Sequence, residues 1–100
     1  MYYKNPLQGY RNMRIKILFN RAEARVGRRV VTGLTFTELR LLDRLNRGGI
    51  VSRGALLMSA WSGKTVKWNT AGRRLDVAIC RLRAKTGIKI EAVAGEGYRL

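Results

Sequence analysis

The segment from Thr70 to Thr86 limits the fold more than any other part of the chain. At a helical period of about 3.6 residues, Leu75, Ile79 and Leu82 fall on one side. Arg73, Val77, Arg81 and Ala84 fall on the opposite side, flanked by Arg74 and Cys80, and Gly87 supplies the stop. Such a helix has to lie on the edge of a core, with an arginine-lined face turned outward. That face suits insertion into the major groove of duplex DNA, where guanidinium groups meet base edges and phosphates.

The rest of the chain supplies the elements against which this helix would pack. Alternation predicts a strand over 13–19, with Met13, Ile15 and Ile17 on one face and Arg14 and Lys16 on the other. Ala24-Arg25-Val26, a Gly27-Arg28-Arg29 turn and Val30-Val31 add two strands, giving a small antiparallel sheet over 13–33. At Thr35 the period changes. Thr35-Phe36-Thr37-Glu38 fits a capping box, and Phe36, Leu39, Leu42 and Leu45 mark the buried stripe of a first helix over 35–47. Arg40, Arg44 and Arg47 face away from that stripe, and Gly48-Gly49 ends it.

Ser52 fits the N-cap of a second helix over 52–61, with Ala55, Leu56, Leu57, Met58 and Trp61 in its body. Residues 62–69 are polar and read as a loop leading into the third helix, over 70–86. Alternation over 88–93, the turn Ala94-Gly95-Glu96-Gly97 and the return through Tyr98-Arg99-Leu100 predict a terminal hairpin over 88–100. Residues 1–12, which hold the only proline, read as a loosely ordered tail before a single domain over 13–100. The class expected is α+β.

Charge bears on what the outward face meets. The chain carries 21 Lys and Arg against 6 Asp and Glu, a net charge of +15. Eleven cations face three carboxylates in residues 1–50, and ten face three in residues 51–100, so the excess belongs to the folded body. Fifteen of the cations are Arg, whose planar fork matches phosphate and guanine. A polyanion is the partner this implies.

The composition also excludes chemistry. Without histidine there is no His-activated nucleophile and no His-ligated metal. With Cys80 alone there is no internal disulfide and no Cys-rich metal site. The carboxylates Glu23, Glu38, Asp43, Asp76, Glu91 and Glu96 show no paired spacing. No catalytic residues, cofactor or metal are expected. No stretch has the length of a membrane span or the apolar core of a signal peptide, so a cytoplasmic protein is expected, in the nucleoid or in a phage host.

From about Arg29 to Leu100 the chain resembles the DNA-binding effector domain of OmpR/PhoB-type response regulators, a winged helix-turn-helix. Leu34-Thr35-Phe36-Thr37-Glu38-Leu39-Arg40-Leu41-Leu42 is similar to that family's L-T-x-x-E-x-x-L-L, and Val51-Ser52-Arg53 to its V-S-R. The run from Arg73 to Lys85 is similar to R-T-V-D-V-x-I-x-R-L-R-x-K, and Val93-Ala94-Gly95-Glu96-Gly97-Tyr98-Arg99-Leu100 to V-R-G-x-G-Y-R-L. Four motifs in order over about seventy residues make the resemblance specific.

The resemblance implies an N-terminal antiparallel sheet, three helices of which the third reads the major groove, and a hairpin wing along the minor groove and backbone. It implies DNA contacts from Arg73, Arg74, Val77, Arg81, Arg83, Lys85 and Arg99. Arg83 lies nearer the core side and is equally placed to pair with Asp76. Leu75, Ile79, Leu82, Trp61 and Tyr98 belong to the core. Departures from the pattern are Arg74 where Thr is common, Ala94 where the wing often has Arg, and Glu96 at the wing tip.

The family's receiver domain does not fit in 100 residues, so the chain reads as a stand-alone regulator without its own phosphorylation switch, such as a phage, mobile element or orphan regulator would supply. The expected partner is double-stranded DNA, bound by a monomer or by copies pairing on the duplex. Two alternatives stay open. One is an architectural protein that coats DNA with little sequence preference. The other is an adaptor that meets RNA polymerase or another transcription factor through Lys64, Lys67 and Trp68.

Overall fold

In a computed structural model of the chain, the described residues are 15–61 and 68–100, with side chains for 15–61 and 71–100. Strands β1 (Ile15–Leu18), β2 (Glu23–Val26) and β3 (Arg29–Val31) form an antiparallel sheet in the order β1-β2-β3. Ile15 pairs with Val26 and Ala24 with Val31, which turns Ala24 and Val26 into the core. The chain leaves β1 through a 3-10 turn, Phe19–Arg21, earlier than the alternation suggested. The expected tail over 1–12, and Met13 and Arg14 of the predicted strand, lie outside the described residues.

Helix α1 (Phe36–Asn46) starts at the predicted capping box. The Glu38 N–H donates to Thr35 Oγ1 at 3.1 Å, and the Thr35 N–H donates to Glu38 Oε1 at 2.8 Å. Leu39, Leu41, Leu42 and Leu45 are buried. Phe36 is not in that stripe, contrary to the periodicity: it is 56% exposed. It occupies the first helical position, beyond the edge of the core, where its ring meets Phe19 edge-on at 5.6 Å and the Arg40 guanidinium at 4.6 Å. The Asn46 side-chain amide donates to the Ile15 carbonyl and fastens α1 to the sheet.

A two-residue strand, β4 (Val51–Ser52), precedes α2 (Arg53–Ala60), and the Ser52 hydroxyl accepts the Ala55 N–H as an N-cap. Helix α3 (Trp68–Thr86) follows. It begins two residues before the predicted start, because no Gly or Pro between Trp68 and Ala71 interrupts the turn. Leu75, Ile79 and Leu82 are fully buried, and Thr86 closes the helix by donating to the Leu82 carbonyl and accepting the Ile88 N–H. The Arg29 guanidinium donates to the Thr86 carbonyl at 2.7 Å, placing a cation from β3 at the negative end of α3.

Strands β5 (Glu91–Val93) and β6 (Gly97–Arg99) form the hairpin, and β4 joins them in a second antiparallel sheet of order β4-β6-β5. Ile88 and Ile90, predicted as the start of a strand, are buried residues of the connection instead. The β4–β6 pairing depends on Gly97. A Cβ there would lie 1.9 Å from the Val51 carbonyl oxygen, so only glycine lets the two strands approach. One cluster of buried side chains, from Ala24 and Val26 through the three helices to Tyr98, unites both sheets.

Candidate nucleic-acid interface

Because Leu75, Ile79 and Leu82 fix one side of α3 in the core, geometry forces Arg73, Arg74, Val77 and Arg81 outward, and all four are exposed. Eight residues separate Arg73 from Arg81, about 12 Å along a helix axis. Among the described residues neither Arg73, Arg74 nor Arg81 has a hydrogen-bonding or ionic partner, so three guanidinium groups stand free along one ridge. A groove of about 480 Å³ runs beside the ridge, between α3 and the start of α1, with Trp61 at its edge. Trp61 is half-buried against the core, and Tyr98 is buried.

The other cations expected on this face have different positions. Lys85 Nζ donates to Glu38 Oε1 at 2.8 Å and to the Gly33 carbonyl at 3.2 Å, because its place on α3 faces the capping box of α1. Burial pushes the Glu38 carboxyl up, but the bonds from Lys85 and the Thr35 N–H outweigh it and leave it below its ordinary range. Arg83 turns to the hairpin, where Nε and Nη2 both donate to the Ile90 carbonyl at 2.9 and 2.6 Å. It does not reach Asp76. Arg99 Nε pairs with Glu91 across the wing at 2.7 Å. Lys64 and Lys67 lie outside the described residues, and Trp68 opens α3 instead of belonging to a loop.

A cluster that the sequence did not disclose stands on the opposite flank of α3. Arg53, the first residue of α2, donates from Nη1 to Asp76 Oδ1 at 2.6 Å and from Nη2 to Asp76 Oδ2 at 3.2 Å. The Tyr98 hydroxyl of β6 donates to the same Oδ1 at 2.7 Å. The Arg53 guanidinium, followed by the Tyr98 hydroxyl, holds the Asp76 carboxyl below its ordinary range. Burial, with the bond to Asp76, raises the Tyr98 phenol. The pieces of this cluster were visible as V-S-R, the Asp of the third helix and the Tyr of the hairpin, but their meeting depends on the fold.

No trio of acidic, Cys or His side chains able to hold a metal occurs among the described residues. Nor is any helix among them long and apolar enough to cross a membrane. What the geometry offers is a helix packed on the core that presents guanidinium groups without partners among the described residues, beside one large exposed apolar side chain, Val77.

Residues 28–100 match a family profile described as transcriptional regulatory protein, C terminal. Comparison with curated proteins gives no match. Among solved structures, the C-terminal DNA-binding domain of RstA from Klebsiella pneumoniae is similar at 30% identity and a TM-score of 0.65, covering 86% of this chain and 82% of that one. The response regulator AdeR DNA-binding domain, in complex with an intercistronic region, shares the fold at 23% identity and a TM-score of 0.66, covering 100% of this chain and 97% of that one. A RitR mutant, C128D, is 27% identical with a TM-score of 0.68 over 86% of this chain, which spans only 40% of that one.

Proposed function

Since the chain belongs to the family of transcriptional regulatory protein C-terminal domains, the winged-helix DNA-binding module of OmpR/PhoB-type response regulators, we propose that it is a sequence-specific regulator that reads duplex DNA with the outward face of α3. The observation that carries this reading is the set of three guanidinium groups, Arg73, Arg74 and Arg81, that have no partner among the described residues and are arrayed around exposed Val77 on a helix whose other side is fixed in the core. In the major groove, Arg81 and Arg74 suit guanine edges, Val77 suits a thymine methyl, and Arg73 suits a phosphate or neighbouring base. That the AdeR domain was solved with an intercistronic region supports the same partner class here.

The wing contributes differently. Ala94 and exposed Glu96 leave its tip without a cation, and Arg99 is paired with Glu91. The wing is therefore proposed to follow the backbone beside the groove and not to insert a guanidinium into the minor groove. The same poverty of charge favours, as a second reading, a protein that coats DNA with little preference. Selection of bound duplexes from a random library, followed by footprinting, tests the assignment. A recurring motif with a protected half-site supports a regulator, and enrichment without a motif supports the coating protein.

A further inference from the structure

Asp76 is an anomaly on this surface. It is a carboxylate on the helix proposed to enter DNA, one residue before Val77, where an unpaired negative charge would repel phosphate. Both of its oxygens are occupied by groups from other elements. The Arg53 fork takes Oδ1 and Oδ2, and the Tyr98 hydroxyl takes Oδ1 as well. Arg53 Nη2 also donates to the Gly72 carbonyl at 2.9 Å, and a Cβ on residue 72 would come within 3.0 Å of that nitrogen, so the glycine leaves room for the approach.

These bonds close a ring of elements. Arg53 follows β4 directly, β4 pairs with β6 through Val51–Tyr98 and Ser52–Gly97, and Tyr98 returns to Asp76. Two turns further along α3, Arg83 holds the Ile90 carbonyl at the base of the hairpin. The wing is thus attached to α3 at two points about 10 Å apart, seven residues at 1.5 Å each. Two attachments fix an angle where one would leave a pivot. The side chains of Arg53 and Asp76 are 44% and 53% exposed, and a pair so wet adds little to stability. Its effect lies in geometry.

We propose that Asp76 is a positioning residue for DNA reading: by taking Arg53 and Tyr98 at once, it locks the wing and the start of α2 to α3, so that helix and wing meet the duplex as one rigid body. This rests on the assignment of α3 as the reading helix. Its consequence is that contacts made by the wing depend on Asp76, while contacts made by the outward face of α3 do not.

The experiment uses the full chain and two duplexes from the library selection, one ending at the bases protected by α3 and one extended by a half-turn on the wing side. Wild-type protein is expected to gain about tenfold in affinity from the extension, the equivalent of one or two phosphate contacts at low salt. Asp76→Asn and Tyr98→Phe, the second of which removes only a hydroxyl, are each expected to reduce that gain below about threefold, while affinity for the short duplex stays within about threefold of wild type. Both should melt near the wild-type temperature. Retention of the full gain in both variants overturns the proposal. So does an equal loss on both duplexes with a lowered melting temperature, which is what a merely structural role would give. If wild-type protein binds neither duplex, the reading beneath the proposal fails, and the proposal with it.

Discussion

Replacing Gly97 by alanine should detach the wing. The new Cβ would stand 1.9 Å from the Val51 carbonyl oxygen, 2.8 Å from its carbon and 2.9 Å from the Ser52 Cα, all of them backbone atoms that cannot swing aside. The residue also has φ +155°. Backbone strain of this kind costs about 1–3 kcal/mol, and forcing an extra carbon into a packed site about 1–3 kcal/mol more. A loss of about 2–6 kcal/mol is therefore expected, from a domain whose total stability is on the order of 5–15 kcal/mol. Gly95 provides the control in the same turn. It has φ +74° but open space around it, so Gly95→Ala should cost only the left-handed penalty of about 1–2 kcal/mol. Urea titration of both variants, followed by circular dichroism, reads the difference. A Gly97→Ala midpoint equal to that of Gly95→Ala would refute the argument that close approach of β4 and β6 requires glycine.

Other outcomes follow from the same geometry. Arg81→Ala should lose about 1–3 kcal/mol of affinity for a selected site and relax preference at one base position in a repeated library selection; equal losses on selected and random duplex would show a phosphate contact only. Arg73→Ala should reduce the slope of log K against log salt by about 0.9, the share of one phosphate contact, whereas Lys85→Met should leave that slope unchanged, because its ammonium is held by Glu38. Lys85→Met should instead cost about 1.5–3 kcal/mol in a melt, the worth of a hydrogen bond to a charged group. Glu38 has a lowered carboxyl pKa in the folded chain, so its contribution is present above the unfolded value and lost as pH falls through the folded one. Glu38→Gln should accordingly flatten the acid limb of a stability–pH curve, read by thermal melts between about pH 2 and 6, and an unchanged limb would count against the pairing of the buried Glu38 carboxylate with Lys85.

What the sequence made legible is what depends on neighbours along the chain. The capping box joins residues three apart, and the two faces of α3 recur every three or four, so Thr35, Glu38, Leu75, Ile79 and Leu82 could be placed before any fold was known. Phe36 departs from the stripe because periodicity says which side of a helix a residue takes but not where the core ends. The long cationic side chains were harder still. Lys85 reaches a carboxylate 47 positions away, Arg53 one 23 positions away, and Arg83 a carbonyl on the connection to the hairpin. Net charge counts all of these with Arg73, Arg74 and Arg81, although the described fold already employs the first three groups and leaves the last three free. The strand β4 is two residues long, too short for any alternation, and only its pairing with β6 defines it.

On the proposed reading, selectivity comes from the placement of charge on α3 more than from the total of +15. A salt titration comparing a library-selected duplex with random duplex of equal length tests it most directly. Both affinities should fall with salt, by a slope near −5 for about six phosphate contacts, while the selected site stays tighter by at least about a thousandfold throughout. Affinities that coincide at every salt concentration would contradict the account and leave a protein that binds DNA by charge alone.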